Sequence, residues 1–545
     1  MENRSPVRFD TRDWRALALL LAGWFALPLL VGTGAEIPLN DDWAYAQTVR
    51  TLLETGEFRR PSWTWVPAIT HTAWGALFAK LFGFSFASLR AASFVAGALG
   101  LAGVFTLARR SGVATGGAAL LVAAYAFNPV HVHLAFTFMT ETPFLALCIW
   151  SLVFLSDHAR SGGWGAFAAG VTLAIAAALS RQTALALPAG FAAALLVSRP
   201  LDKRAWLAAA LCGGAVVFAY LRAEEWLFAT GGSSARLYSV RDAGKFIAHA
   251  QSGVLFHFLK HSVASLVCLG WFLFPVLVRV VAPLRLRLAA SAFGVAAATA
   301  LILRLDLDLP PTYNIIWDLG VGPLTIRGHE FLPHAPVWLW WLITGLGAAA
   351  GAEAIALFLV RALPKWRELL ARPDLLLLLA FSVAFLLPHL PRAPFFDRYL
   401  LTLVAPLGVV LLATTVGAEA PPAWRRYASL GAAAFLVAFG CVGTRDYHVR
   451  SEAKWELLAQ LRAEGFNERR VVGGVEYNGW FDDPNRTVPT ADNFVWDEEF
   501  VATYAPTRER YDVYAKKTYS RWLPPGQETV YVHRRKPAPA SALPE

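Results

Sequence analysis

The stretch Trp14–Val31, which reads WRALALLLAGWFALPLLV, decides the fold class of this chain. After Arg15 it carries no charged side chain. Its length falls within the roughly 17 to 25 apolar residues that a helix needs to cross a bilayer. Basic residues precede the stretch, as in a signal peptide, but no clear small-residue cleavage site follows it. We therefore interpret it as a retained first transmembrane helix.

Comparable apolar runs recur along most of the chain. Of the 545 residues, 56% are hydrophobic and only 16% are charged, whereas a soluble chain carries about a quarter charged residues. The mean hydropathy is +0.45. The pattern predicts a polytopic all-α membrane protein with about thirteen spans. The predicted spans lie near Trp14–Val31, Leu89–Leu107, Gly116–Val130, Pro143–Leu155, Trp164–Leu179, Thr183–Val197, Trp206–Leu221, Val263–Val278, Leu288–Leu303, Pro336–Leu359, Leu375–Leu387, Tyr399–Val416 and Leu430–Val442.

Basic residues mark one side of the predicted bundle. With the N-terminus in the cytoplasm, every inner loop is short and basic, as the positive-inside rule expects. The inner residues are Arg109, Arg110, Arg160, Arg199, Lys203, Arg204, Arg279, Arg285, Arg287, Arg361, Lys365, Arg367, Arg372, Arg425 and Arg426. The net charge of +10 therefore indicates membrane orientation rather than nucleic-acid binding. The long outer loop Ala223–Lys260 departs from this pattern.

The C-terminal part of the chain is polar. It contains a helical pattern at Glu452–Leu461 and strand-like pieces at Arg470–Val475 and Thr529–His533. An odd number of spans places this part outside the membrane, where it forms a small α/β domain. The predicted organisation is a transmembrane domain at 1–444 with outer loop 1 at 33–87, and an extracytoplasmic domain at 445–545 with a disordered tail from 536.

Outer loop 1 contains an acidic pair directly after the first span. The segment Ile37–Gln47 reads IPLNDDWAYAQ and holds Asp41 and Asp42. Carboxylates at a membrane surface are costly and tend to be functional when they face a cavity. The structural alternative is that Asn40 and Asp41 only cap the helix that follows. A second helix is predicted at Ala73–Leu81.

Three further charged residues fall in predicted outer turns. Glu141 precedes Pro143, where it also suits the first turn of a helix. Arg181 opposes the positive-inside trend, which favours an anionic partner. Arg398 is similar, although its neighbour Asp397 offers a local salt bridge.

The ordered set of these phrases resembles the GT-C glycosyltransferases, above all the group of protein O-mannosyltransferases and lipid A aminoarabinose transferases. The likeness covers about the first four hundred residues, although no single phrase is specific. It rests on NDDWAY (40–45), LLETG (52–56), KLFG (80–83), TETP (140–143), SRQT (180–183) and DRYL (397–400).

The resemblance implies a role for each matching residue. Asp41 matches the proposed general base, and Glu141 matches an acid that orients the acceptor or the base. Arg181 and Arg398 become partners of the donor phosphate. The other implied substrate contacts are Asp42, Tyr45, His71 and Tyr399. Two departures concern the phosphate site: Ala44 stands where the family has a basic residue, and the Lys-Pro-Pro phrase is absent, with His71 about one turn later.

The resemblance also implies the reaction and its setting. The expected enzyme is an inverting hexosyl- or pentosyltransferase that uses a polyprenyl-phosphate sugar. The acceptor is a lipid, glycan or protein at the outer face of a bacterial inner (plasma) membrane. These residue types require no cofactor, but a divalent cation shared by Asp41, Asp42 and Glu141 stays an alternative.

Two other functional classes compete with this interpretation. A transporter or flippase of lipid-linked sugars would use the same substrates, but transporters favour broken helices and charges near the midplane. Here Glu353 is the one clear acid inside a predicted span. An assembly protein with a partner-binding tail is the third class, and it would make Asp41 dispensable.

Overall fold

The structure is a computed structural model that describes residues 9–32, 34–61, 63–230, 253–311, 314–392, 394–415, 421–481, 495 and 497–537. The predicted tail from Lys536 and the middle of the predicted loop Ala223–Lys260 lie largely outside these residues. In chain order the helices are α1 (Thr11–Val31), α2 (Asp42–Thr55), α3 (Ile69–Phe82), α4 (Phe86–Arg110), α5 (Thr115–Ala126), α6 (Pro129–Ala135), α7 (Glu141–Ser161), α8 (Trp164–Ser180), α9 (Ala186–Ser198), α10 (Lys203–Ala229), α11 (Val254–Arg279), α12 (Leu284–Leu305), α13 (Val337–Leu357), α14 (Trp366–Leu370), α15 (Pro373–Leu386), α16 (Asp397–Thr415), α17 (Ala423–Ala463) and α18 (Val475–Phe481).

Within the described residues, nine helices are long and apolar enough to cross a membrane: α1, α4, α7, α10, α11, α12, α13 with its continuation to Leu370, α16 and α17. The pair α5 and α6 counts as a tenth if it is one span bent by 62°. The bend has a local cause, because Pro129 cannot continue α5 and Asn128 caps α6 through a 3.0 Å bond from the amide of Val130. The polytopic helical fold is confirmed.

Three shorter apolar helices account for the remaining predicted spans. They are α8, α9 and α15, with 17, 13 and 14 residues. Each predicted apolar run thus coincides with a helix, while nine to ten of them meet the length expected of a span. The count of thirteen stays a prediction.

Ion pairs link neighbouring segments at the end of the bundle where the predicted inner loops lie. Nε of Arg109 lies 2.6 Å from Oδ1 of Asp13, which is buried. Nη1 of Arg160 and Nη2 of Arg372 lie 3.2 Å and 2.9 Å from Oδ2 of the buried Asp374. Carboxylates in such positions need cationic partners because an unpaired buried charge is costly.

The loop helices α2 and α3 lie at the opposite end. The amide of Ala68 donates a 3.1 Å hydrogen bond to the carbonyl of Ser180, which fixes α3 to the turn before Arg181. Nε2 of Gln47 donates to the carbonyls of Gly479 and Trp480, which joins α2 to α18. Outer loop 1 therefore packs between the spans and the C-terminal region.

A four-stranded sheet forms most of the C-terminal region. Its strands are β3 (Val471–Val472), β4 (Phe500–Thr503), β5 (Tyr511–Trp522) and β6 (Pro525–Arg535), in the order β3-β4-β6-β5. The β3–β4 pair is parallel and the others are antiparallel. Leu458 of α17 is buried with Val530 and Val532 of β6. The predicted α/β character of this region is confirmed.

The helix and strand predictions for the C-terminal region have different outcomes. The helical pattern at Glu452–Leu461 is confirmed as the end of α17, which runs 41 residues without a break. The strand predicted at Arg470–Val475 is too long: only two residues are strand, because α18 begins at Val475, where the side chain of Asn478 donates to the carbonyl of Val471 and accepts from the amide of Gly473. The proposed domain boundary at 445 lies inside α17 and stays a prediction.

A short hairpin joins the two regions. Its strands, β1 (Ile316–Trp317) and β2 (Gly320–Val321), are antiparallel, with Ile316 opposite Val321. Gly443 of α17 packs so closely on Val321 that an added Cβ would lie 2.5 Å from a Val321 methyl group. The hairpin is therefore held against α17.

Candidate active site

Asp41 precedes α2, but its side chain does not cap that helix. Asn40 before it has a φ of +53°, a left-handed conformation that asparagine tolerates better than most residues. Oδ1 of Asp41 accepts a 2.8 Å hydrogen bond from Nε1 of Trp63. About a quarter of the side chain stays exposed, at 23%. The capping interpretation is therefore wrong for Asp41.

The environment of Asp41 favours a basic carboxylate. Burial raises the pKa of the Asp41 carboxyl above its usual range, while the guanidinium of Arg398 and the hydrogen bond from Trp63 act in the opposite direction. Nη2 of Arg398 lies 4.0 Å from Oδ2 of Asp41. A carboxylate with a raised pKa accepts a proton more readily, which suits a general base.

Glu141 lies at the centre of the charged cluster. It occupies the first turn of α7, as its position before Pro143 predicts. Its Oε1 is 2.7 Å from Nη1 of Arg181 and 3.3 Å from Nε of Arg398. All three side chains are at most 10% exposed. Among the described residues, the anionic side chain that pairs with Arg181 is Glu141.

Arg398 does not form a salt bridge with its neighbour Asp397. Asp397 instead accepts hydrogen bonds from the amides of Ile315 (3.1 Å), Ile316 (2.7 Å) and Arg398 itself (2.7 Å). The guanidinium turns toward Glu141 and Asp41. Its Nη1 is buried and has no hydrogen-bond partner among the described residues. One donor of Arg398 is thus buried and unused.

Aromatic rings line the same site. The guanidinium groups of Arg181 and Arg398 lie 5.8 Å and 6.0 Å from the ring centroid of Tyr399. Tyr45 meets His71 edge to face at 5.3 Å. Burial lowers the pKa of His71 to about 3, so its ring is neutral at physiological pH. His71 therefore does not supply the positive charge that the missing family lysine would bring.

Asp42 has different contacts from its neighbour Asp41. Its carboxylate accepts hydrogen bonds from the amides of Leu39 (2.6 Å) and Phe138 (3.4 Å). Burial raises its pKa to about 7, against the opposing charge of Arg90. The contacts that the structure gives Asp42 are to backbone amides and not to the charged cluster, so its predicted substrate contact stays a prediction.

Two residues of outer loop 1 were missed from the sequence. One is Trp63, whose indole nitrogen donates a hydrogen bond to Asp41. Arg60 is 6% exposed, donates to the carbonyl of Val66 and interacts electrostatically with Tyr45. Burial lowers the pKa of Arg60 only to about 10, so it keeps its charge at neutral pH. The only sequence signal for Arg60 was a basic pair before Pro61.

The acidic side chains are not arranged as a metal site. In the part of the chain that the structure describes, no group of three or more His, Cys, Asp or Glu side chains is placed to hold a metal ion. Glu141 is engaged by two guanidinium groups and Asp42 by two amides.

A protein-family comparison agrees with the resemblance. Residues 68–221 match the family model described as dolichyl-phosphate-mannose-protein mannosyltransferase. The matched residues include Glu141 and Arg181. The likeness to the GT-C glycosyltransferases, predicted from the sequence, is thereby confirmed over this segment. A search of curated proteins gives no match.

Solved structures of membrane glycosyltransferases align with the chain at low identity. ArnT from Cupriavidus metallidurans, bound to undecaprenyl phosphate, is 15% identical, with 98% of this chain and 100% of that chain covered and a TM-score of 0.43. The Pmt1-Pmt2 complex of S. cerevisiae, bound to the sugar donor, is 13% identical over 41% and 35%, with a TM-score of 0.33. Arabinosyltransferase EmbB from Mycobacterium smegmatis is 15% identical over 83% and 43%, with a TM-score of 0.35.

Proposed function

We propose that this chain is a membrane glycosyltransferase that moves a sugar from a polyprenyl-phosphate donor to an acceptor at the outer face of a bacterial inner membrane. The family match over residues 68–221 supports the class of enzyme. One observation carries the proposal: the partly exposed carboxylate of Asp41 lies 4.0 Å from the guanidinium of Arg398, which in turn contacts Glu141. A base and a cation beside it are what the transfer requires.

Asp41 is the general base in this proposal. It takes the proton from an acceptor hydroxyl or amine, and the freed electron pair attacks the anomeric carbon of the donor sugar. The bond between that carbon and the phosphate oxygen breaks, and the polyprenyl phosphate leaves with the electron pair. A single displacement inverts the anomeric centre. General base catalysis contributes roughly 10²–10⁴-fold.

Arg398 and Arg181 stabilise the leaving phosphate. The unused Nη1 of Arg398 supplies a charge-assisted hydrogen bond to a phosphate oxygen. Glu141 holds both guanidinium groups in place, since its Oε1 contacts each of them. Arg60 adds a third cation in the same loop as Asp41. Fixed cations aimed at developing charge are usually the largest contribution to catalysis of this kind.

We infer that α8, α9 and α15 also cross the bilayer, which gives thirteen spans with the N-terminus in the cytoplasm. The charged cluster and the C-terminal sheet then lie on the outer side, where the donor sugar is presented. The basic residues at the opposite end agree with the positive-inside rule.

The transporter alternative gains no support from Glu353. Its Oε1 lies 2.6 Å from Nη2 of Arg287, so the one acid inside a predicted span is already paired. Nη1 of Arg398, in the charged cluster, is buried and has no hydrogen-bond partner among the described residues. Chemistry at the surface is therefore the function that these contacts favour.

The test is sugar transfer or release by purified full-length protein from a panel of polyprenyl-phosphate sugars. We expect wild type to turn over one donor and Asp41→Asn to lose at least about 10²-fold of that rate. Glu54→Gln is the matched control, because Glu54 is an exposed acid in α2 whose contact is Arg50. Equal turnover by wild type and a folded Asp41→Asn protein would remove Asp41 as the base.

A further inference from the structure

The short helix α18 of the C-terminal region lies against α2, the helix that follows the proposed base. Its residue Gly479 packs on the indole ring of Trp43, which stands two positions after Asp41. A Cβ added at Gly479 would lie 2.3 Å from two atoms of that ring, closer than real Cβ atoms approach. Trp43 is 4% exposed, and a closely packed interior leaves it little room to move aside. The contact therefore requires glycine at position 479.

A second contact lies one turn further along α2. Nε2 of Gln47 donates 3.1 Å hydrogen bonds to the carbonyls of Gly479 and Trp480. These carbonyls belong to the last turn of α18, where a helix has no partners of its own for its carbonyl groups. Trp43 and Gln47 are four positions apart, so both contacts act on the same face of α2. The helix α18 thus restricts both the rotation and the displacement of α2.

The helix α18 is itself fixed to the long helix α17. Lys454 of α17 forms an ion pair with Glu476 of α18, and the two side chains are only 4% and 2% exposed. Thr325 contacts both partners, because its Oγ1 donates to Oε1 of Glu476 at 2.8 Å and accepts from Nζ of Lys454 at 3.0 Å. A buried ion pair is costly to break, since each partner would leave the other charge unpaired. Movement of α18 away from α17 is therefore opposed.

The charge of α18 also reaches Asp41. Burial is the main reason that the pKa of the Asp41 carboxyl is raised, and the negative charges of Glu141 and Glu476 add to it. The charge of Glu476 adds in the same way to the effect of burial on Asp42, the first residue of α2. Coulomb interactions weaken with distance. The C-terminal region therefore approaches the proposed base closely enough to act on it by charge as well as by contact.

We propose that α18 is a positioning element for the proposed base: through Gly479 and Gln47 it fixes the start of α2, and Asp41 with it. The proposal rests on the proposed function, because the position of Asp41 matters for transfer only if Asp41 is the base. A base must lie within hydrogen-bond reach of the proton that it removes. A misplacement of about 1 Å can cost about 10²-fold in rate. The C-terminal region is then part of the catalytic unit.

The test is donor turnover by purified full-length Gly479→Ala protein, together with hydrogen exchange of its α2 amides measured by mass spectrometry. The added methyl group should displace Trp43 and the start of α2. We expect kcat to fall at least about tenfold. The KM for the donor should change less than about twofold, because Arg181 and Arg398, which contact the donor phosphate in the proposed function, lie outside α2. The α2 amides should exchange at least about threefold faster.

Three further variants separate positioning from a general loss of structure. Trp43→Phe combined with Gly479→Ala makes room for the new methyl group, so the double variant should turn over donor faster than Gly479→Ala alone. Gln47→Leu removes the two hydrogen bonds at similar volume and should also lower kcat. Gly526→Ala is the matched control and should behave like wild type, because a Cβ added at this glycine of the same region would meet no atom within 4 Å.

Wild-type kcat in folded Gly479→Ala and Gln47→Leu proteins overturns the proposal, because α18 would then have only a structural role, even if α2 exchanged faster. A fall in kcat with unchanged exchange in α2 overturns it too, since the loss would not come from displacement of α2. If wild type turns over no donor, the proposed function fails and the positioning role fails with it. Faster exchange would then show only that α18 anchors α2.

Discussion

The indole nitrogen of Trp63 lies 2.8 Å from Oδ1 of Asp41 and donates a hydrogen bond to it. The bond fixes one carboxylate oxygen, while the other lies 4.0 Å from Nη2 of Arg398. It also lowers the pKa of Asp41, against the effect of burial. Trp63 is therefore a positioning residue for the proposed base.

Removal of this bond should change the pH dependence of transfer. Trp63→Phe keeps an aromatic ring but removes the donor, so the pKa of Asp41 rises further. The acidic limb of the kcat/KM profile should move to higher pH by about one to two units, because a hydrogen bond to a charged group contributes about 1.5–3 kcal/mol. Trp74→Phe is the control, since the Trp74 indole donates to the carbonyl of Ala92 instead. An unchanged limb would contradict this role.

Arg398→Gln should reduce transfer by about 10²–10³-fold, the usual cost of losing one group that stabilises transition-state charge. The transfer rate of Arg398→Lys should lie between that of wild type and that of Arg398→Gln, because lysine keeps the charge but lacks the planar guanidinium group. The measurement is kcat/KM for donor turnover, with unfolding temperatures to verify folding. If Arg398→Gln turned over donor like wild type, the phosphate site would have to be sought elsewhere.

The apolar runs made the helices predictable, because hydropathy and span length are properties of contiguous residues. Residue partners were not predictable in this way. Arg181 and Glu141 are separated by 40 positions, and the amide of Ile315 meets Asp397 across 82. The continuous α17 was missed because its apolar half and its polar half were interpreted separately. The bond from Trp63 to Asp41 gave no signal either, since it is a property of the folded chain.

Glu141 should matter for stability as well as for activity. Glu141→Gln leaves Arg181 and Arg398 without their shared anion, and loss of one member of a buried ion pair costs about 3–5 kcal/mol. The double variant Glu141→Gln with Arg181→Gln should recover part of that loss. Thermal unfolding in detergent measures both. If Glu141→Gln unfolds at the wild-type temperature, the ion pairs of Glu141 contribute little to the stability of the protein.

Asp42 should make stability depend on pH. Its pKa is about 7 in the folded chain against an ordinary value of 3.8, so the folded state binds a proton that the unfolded state releases. The resulting stability is present at low pH and is lost as pH rises from about 4 to about 7, by up to about 4 kcal/mol. Asp42→Asn should flatten this dependence, whereas Glu54→Gln should not. The readout is the unfolding temperature across that interval.

The proposed topology can be tested with single cysteines. All four native cysteines are buried, so background labelling should be low. In intact cells a membrane-impermeant maleimide should label Lys516→Cys, at an exposed position of β5, but not Arg204→Cys, at the start of α10. Both should be labelled after lysis. If only Arg204→Cys were labelled in intact cells, the orientation would be the opposite of the proposed one.

The unbroken helix α17 has a mechanical consequence. Forty-one residues extend about 60 Å, roughly twice the hydrocarbon thickness of a bilayer. The helix carries the strand hairpin at one end and is anchored in lipid at the other, without a hinge between them. The C-terminal sheet is consequently attached rigidly to the membrane-embedded part of α17. A change in the tilt of α17, such as one imposed by bilayer thickness, is therefore expected to displace the sheet.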